Sequence, residues 1–175
     1  MPAAELFYAN GFRGVGVDQV IAASGVAKST LYVHFRTKEE LIAAYLRRTD
    51  DSWMTQLQDA AARAGGGPSE QLVGLFDALT DAFERHGFFG CPFVSAAVEA
   101  DLDSEARAVT VQHTRRRQAW LTELCEKAGA DDASALARQI GLLIDGALVS
   151  GRLLQDCAVV EEAKSTARLL IGSDL

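Results

Sequence analysis

The chain has 175 residues, 49% of them hydrophobic, and a formal net charge of −7. That length holds one to two domains with a real core. Three widely spaced cysteines, Cys91, Cys125 and Cys157, are odd in number, which argues against a disulfide framework and for a reducing cytoplasm. No positively charged start runs into an apolar segment and no apolar stretch of spanning length stands out, so neither a secretion signal nor a membrane partner is expected.

Helical periodicity recurs along the whole chain, whereas sustained period-two alternation and hairpin dipeptides are missing, so the expected fold is all-α. A short helix over residues 2–10 leads to Gly11. Val17, Val20 and Ile21 then share one face of a second helix, and Gly25 supplies the positive φ that a tight helix-helix turn needs. In a third, two-turn helix Leu31 and Phe35 point inward, which leaves Lys28, Ser29, Thr30, Tyr32, Val33 and His34 outside. Thr37 and Glu40 have the spacing of a capping box and open a long helix that ends near Gly65-Gly66-Gly67. Pro68 starts the next helix, whose stripe is Leu72, Leu75, Phe76, Leu79 and Phe83 and whose end is Gly87.

After an aromatic loop, Pro92 begins a short helix to about residue 100. Asp103 or Ser104 caps another, with Val109, His113, Arg116, Trp120 and Leu124 along one side. Two final helices are expected over about 132–155 and 159–171, for about nine in all. The penultimate one has a wide apolar band interrupted by Gly141, Gly146 and Gly151. Three interior glycines, each unfavourable by about 1 kcal/mol relative to Ala, suggest a backbone lying close to another helix.

The third helix carries the first functional signal. Two turns cannot persist on helix propensity alone, and an outward face of a cation, two hydroxyls, a phenol, a methyl-bearing side chain and an imidazole suits phosphates, base edges and thymine methyls. Lys28 and Lys38 stand at helix N-termini, where exposed backbone N–H groups also meet phosphates. Charge is divided accordingly. Residues 1–48 hold six Lys/Arg and four Asp/Glu, a net of +2, which leaves −9 for residues 49–175. A +2 head is a poor DNA ligand as a monomer, which favours a dimer presenting two heads.

The string Gly11-Phe12, Val20-Ile21, Gly25-Val26, Lys28-Ser29-Thr30-Leu31-Tyr32, His34-Phe35 and Lys38-Glu39-Glu40-Leu41 resembles the helix-turn-helix of the tetracycline-repressor (TetR) family of bacterial transcription regulators. Three features depart from that pattern. Val15-Gly16 stands where the family has a Thr/Ser pair, so the second helix lacks its capping hydroxyl. Ile21 replaces a usual Ala, and the first helix begins later than usual. The resemblance implies a helix-turn-helix head over residues 1–48 and a ligand-binding and dimerisation domain over 49–175. It further implies a cytoplasmic, ligand-responsive regulator, a repressor, that binds a palindromic operator as a dimer and is released by a small-molecule effector. The alternative is a helical small-molecule-binding protein whose shortened head no longer binds DNA.

The expected DNA contacts are Lys28, Ser29, Thr30, Tyr32, Val33, His34 and Lys38. Phe88, Phe89 and Phe93 converge in sequence pattern with His113, Arg116 and Trp120 as an effector pocket, mostly apolar with a few polar groups, although a plain core with a hydrogen-bonded His fits as well. The dimer seam is expected from Leu136, Ile140, Leu143, Ala147, Gly151 and Leu154, joined by Ala163, Ala167 and Leu170. No nucleophile elbow, metal-ligand spacing or dinucleotide loop is present, so no enzyme activity, cofactor or metal is expected.

Overall fold

The structure, a computed structural model, describes residues 2–87 and 89–174, with backbone alone for Pro2, His86 and Asp174. The described residues form ten α-helices and no strands. In chain order they are α1 (Pro2–Asn10), α2 (Val17–Ser24), α3 (Lys28–His34), α4 (Lys38–Arg63), α5 (Pro68–Gly74), α6 (Asp77–His86), α7 (Pro92–Glu99), α8 (Glu105–Ala128), α9 (Ala133–Leu154) and α10 (Ala158–Asp174). Phe88 lies outside the described residues.

The single helix expected over 68–86 is two. Gly74 ends α5 where a Cβ would lie 2.2 Å from the Cβ of Ala64, so the chain closes on α4 at that point. The link to α6 is made by i→i−3 bonds, Phe76 N–H to the Val73 carbonyl and Ala78 N–H to that of Leu75. The apolar stripe survives the break, with Leu72, Leu75, Phe76, Leu79 and Phe83 all buried.

Local signals set several helix ends. Gly25, at φ +66°, closes α2 and its N–H reaches the Ile21 carbonyl. Asp132 caps α9 by accepting from Ala135 N–H at 2.9 Å. Of the two residues expected to cap α8, Ser104 does so, its Oγ accepting from Arg107 N–H at 3.2 Å. Thr37 Oγ1 accepts from Glu40 N–H at 3.1 Å as the capping box requires. The Glu40 carboxylate, however, accepts from Arg36 N–H at 2.7 Å, one residue earlier than a closed box would place it.

Packing groups the chain into two compact units, residues 1–51 with 91–113 and residues 52–90 with 114–175. In the first, Phe7, Phe12 and Tyr45 form an aromatic triangle with ring centroids 5.5–6.0 Å apart, joining α1, the loop after it and α4. Burial pushes the Tyr45 phenol up to about 12. In the second unit α9 and α10, joined by three residues, pack as a helical hairpin. α9 is long and apolar enough, by length and composition, to cross a bilayer, which corrects the expectation that no stretch is. It also carries Arg138, Asp145 and Arg152, and it turns Leu136, Ile140, Ile144 and Leu148 into the core.

Burial on α8 corrects one stripe. After His113 it continues through Arg117, Leu121 and Leu124, while Arg116 is exposed and Trp120 half-buried. A step of four residues carries the face on from His113. The buried cation at that step is tolerated because the Arg117 guanidinium donates to both carboxylate oxygens of Asp145, each at 2.7 Å.

Candidate nucleic-acid interface

Helix α3 has seven residues, and its anchor is Leu31, the one residue of the helix that is buried. Lys28, Ser29, Thr30, Tyr32, Val33 and His34 are all exposed, Val33 at 79%. An exposed Val and an exposed Tyr on so short a helix are unfavourable for an isolated fold, so this face is built for something other than stability. The helix ends at His34, and Phe35, extended and half-buried, is its C-cap instead of its last inward residue.

The start of α2 lacks a capping hydroxyl, as Gly16 dictates. Gln19 substitutes for it in part, its Oε1 accepting from Gly16 N–H at 2.6 Å. Lys28 donates to Asp18 Oδ1 at 3.1 Å, an exposed pair across the α2–α3 turn. That hydrogen bond, then the Asp18 charge and that of Tyr32, raise the Lys28 pKa above its ordinary value, so the side chain is a cation throughout the physiological range. Lys38 is half-buried at the start of α4. Arg47 pairs with Glu105, and the Arg13 guanidinium donates to the Glu99 carbonyl at 3.2 Å. Two of the six head cations, Lys28 and Arg47, are thereby paired with carboxylates of their own chain and a third, Arg13, with a backbone carbonyl, a pattern of tertiary pairing that residue spacing does not signal.

The expected effector residues are only partly brought together. Phe93 stacks on His113, with ring centroids 3.7 Å apart and planes 6° from parallel. His113 is 2% exposed, and its Nδ1 lies 2.7 Å from Asp50 Oδ1, a hydrogen bond between α8 and α4. Phe89, Arg116 and Trp120 belong to the other compact unit. Phe89 is 38% exposed, and its carbonyl accepts from Arg152 Nη1 at 2.8 Å. Phe88 lies outside the described residues. Asp50, the partner of His113, carries no sequence signal beyond a polar position in α4.

The residues expected at the dimer seam also divide. Leu136, Ile140, Ala147, Gly151, Ala163 and Ala167 are buried within the chain itself, Leu143 and Leu170 are half-buried, and Leu154 is exposed. The small residue at 151 answers to the chain's own Phe83, whose ring would lie 2.7 Å from a Cβ there. Gly141 has only ordinary contacts around it, and Gly146 has open space. The apolar residues that α9 and α10 leave outside are Leu142 at 71%, Val149, Leu153 at 76%, Leu154 and Leu169 at 75%.

Among the described residues no cluster of His, Cys, Asp or Glu is arranged to hold a metal ion. Cys91 and Cys125 are buried. Burial, then the Glu84 and Asp156 charges, raise the Cys157 thiol pKa, the opposite of what a reactive thiolate requires.

Residues 2–45 match the family model of bacterial regulatory proteins of the tetR family. The transcriptional regulator AcuR of Cereibacter sphaeroides is 31% identical over 157 residues, 82% of this chain and 69% of that protein. The transcriptional repressor KstR2 of Mycobacterium tuberculosis is 33% identical over 84 residues, 48% of this chain, and the match spans only 42% of its own length. The crystal structure of a TetR-family regulator from Streptomyces coelicolor superposes with a TM-score of 0.90 at 29% identity, covering 99% of this chain and 92% of that one. An exposed third helix held by one buried leucine, the matched family model over residues 2–45 and a relative aligned over most of both chains lead to one conclusion: the chain belongs to the TetR family of bacterial transcription regulators.

Proposed function

We propose that this protein is a cytoplasmic, ligand-responsive repressor that binds a palindromic operator as a dimer through α3 and leaves it when a small molecule binds. The observation that carries the reading is the exposed face of α3, with Lys28, Ser29, Thr30, Tyr32, Val33 and His34 turned outward around a single buried leucine. Lys28 and Lys38 meet phosphates, and Ser29, Thr30, Tyr32, Val33 and His34 meet phosphates or base edges.

Dimerisation answers the electrostatic problem of the head. A net of +2, part of it engaged internally, gives one head little affinity for a polyanion, and two heads on one operator multiply it. On α9 Leu142, Gly146, Val149 and Leu153 recur at offsets of four, seven and eleven, and all are exposed. Leu169 of α10 adds to this surface. This stripe, rather than the buried one, is the seam we assign, and Gly146 lets two helices approach closely. The effector contacts Phe93 and His113, where an aromatic face and a buried imidazole combine apolar area with one polar group.

Selection of DNA from a random-sequence pool by the purified protein tests the reading. The expected product is a two-fold symmetric site whose half-sites lie a helical turn or its multiple apart. Recovery of no preferred sequence by a folded protein would refute it and favour a helical small-molecule-binding protein without a DNA target.

A further inference from the structure

Glu99 is the last residue of α7, where a carboxylate is unfavourable because it adds negative charge to the negative end of the helix. Its surroundings account for it. Oε2 accepts from the backbone N–H of Arg13 at 2.6 Å. Oε1 occupies the space in front of Gly11, 2.9 Å from where a Cβ would be, and Gly11 has φ +72°. A side chain at position 11 would therefore be strained by its backbone and would displace the carboxylate. The Arg13 guanidinium returns to the Glu99 carbonyl at 3.2 Å, and Arg107 Nη1 donates to the Ala97 carbonyl at 3.0 Å. Two guanidinium groups cover two carbonyls of the last turn of α7, those of Ala97 and Glu99. All these residues belong to one compact unit.

The loop that receives this carboxylate links α1 to α2, and α2 opens on Gly16 without a side-chain cap. The approach of the chain to the helix-turn-helix is thus fixed from α7 as well as from α1. We infer that Glu99 is a positioning residue for DNA binding: it holds the Gly11–Arg13 loop so that α2 and α3 are presented in one orientation. This rests on the DNA-reading function proposed above. A head ordered in advance loses less freedom on binding its own site, whereas random DNA, bound through phosphates alone, gains nothing from that order.

The full-length chain and its Glu99→Ala, Glu99→Gln and Gly11→Ala variants are titrated across salt concentrations with two duplexes of equal length, one selected by the wild type and one of random sequence. In Glu99→Ala the ratio of selected to random affinity is expected to fall about tenfold, while the salt slope stays as it is, because the Arg13 guanidinium keeps its bond to the backbone carbonyl of residue 99. Glu99→Gln, which retains an oxygen to accept from the Arg13 amide, keeps most of the ratio. Gly11→Ala, which displaces an intact carboxylate, loses it. An unchanged ratio in Glu99→Ala, whether binding is unaltered or falls equally on both duplexes, would overturn the inference.

Hydrogen exchange at the Arg13 amide is an independent check should Glu99→Ala fail to fold. Protection in the wild type that is lost in Gly11→Ala supports the latch, and an unprotected amide in the wild type refutes it. A wild type that selects no DNA would instead defeat the DNA-reading function, while the Arg13 amide still reports on the latch.

Discussion

Asp18 and Lys28 set the charge at the start of the exposed face of α3. Their pair is exposed on both sides, so it contributes little to stability, but it places a carboxylate beside the cation expected to meet phosphate. Asp18→Asn should tighten binding to selected and random DNA alike and steepen the salt slope by about 0.9 per phosphate gained; an unchanged slope in a salt titration would remove Lys28 from the interface. Tyr45 makes a different kind of prediction. Its phenol, packed against Phe7 and Phe12, is held up to about 12 by burial, against 10.0 for the free group. Because the folded value is the higher one, the stabilisation is complete below pH 10 and is lost as pH rises from there toward 12. Urea unfolding between pH 9 and 12 should show a loss of up to about 2 kcal/mol, and Tyr45→Phe should flatten that part of the profile. An identical profile in both proteins would show that other groups govern alkaline unfolding.

At the scale of elements, the glycines of α9 separate packing from surface. Gly151 lies under the Phe83 ring, whereas Gly146 has open space around it. Gly151→Ala should destabilise by about 1–3 kcal/mol, since the ring must move. Gly146→Ala should stabilise the isolated chain by about 1 kcal/mol through helix propensity. Thermal melts of the two variants check this, and equal shifts of the same sign would contradict the packing described. The comparison also shows what periodicity leaves ambiguous. A wide apolar band on α9 holds two stripes, one packed in the chain's own core and one outside it, and residue identity does not say which is which. Leu136, Ile140 and Ala147 are as plausible a seam in sequence as Leu142, Val149 and Leu153. On α8 the same ambiguity between steps of three and four puts Arg116 in solvent and Arg117 on Asp145.

For the whole molecule, the excess of acid in residues 49–175 leads to the expectation that DNA affinity depends on the number of heads presented together. Leu142→Asp, at a position 71% exposed, should leave the fold of the chain intact, convert a dimer to monomers and abolish tight operator binding. Sedimentation with a parallel DNA titration measures both effects. A dimer persisting in Leu142→Asp would place the seam elsewhere. Gly151→Glu is a poorer probe, because Phe83 occupies the space its side chain needs.

Sequence by itself determined the helical class, the family, the helix-turn-helix register and the outward set on α3. These depend on local rules: glycine at a positive φ, a Thr cap three residues before its N–H donor, a period of 3.6 with one inward leucine. Tertiary structure alone decided that α7 packs with the head, that Glu99 sits on Gly11 and Arg13, that Asp50 meets His113 and that Arg117 meets Asp145. The hydrogen-bonded pairs among these lie 28 to 86 residues apart. Nothing local distinguishes a carboxylate that will find such a partner from one left in water, because the interaction exists only once two distant helices have been brought together.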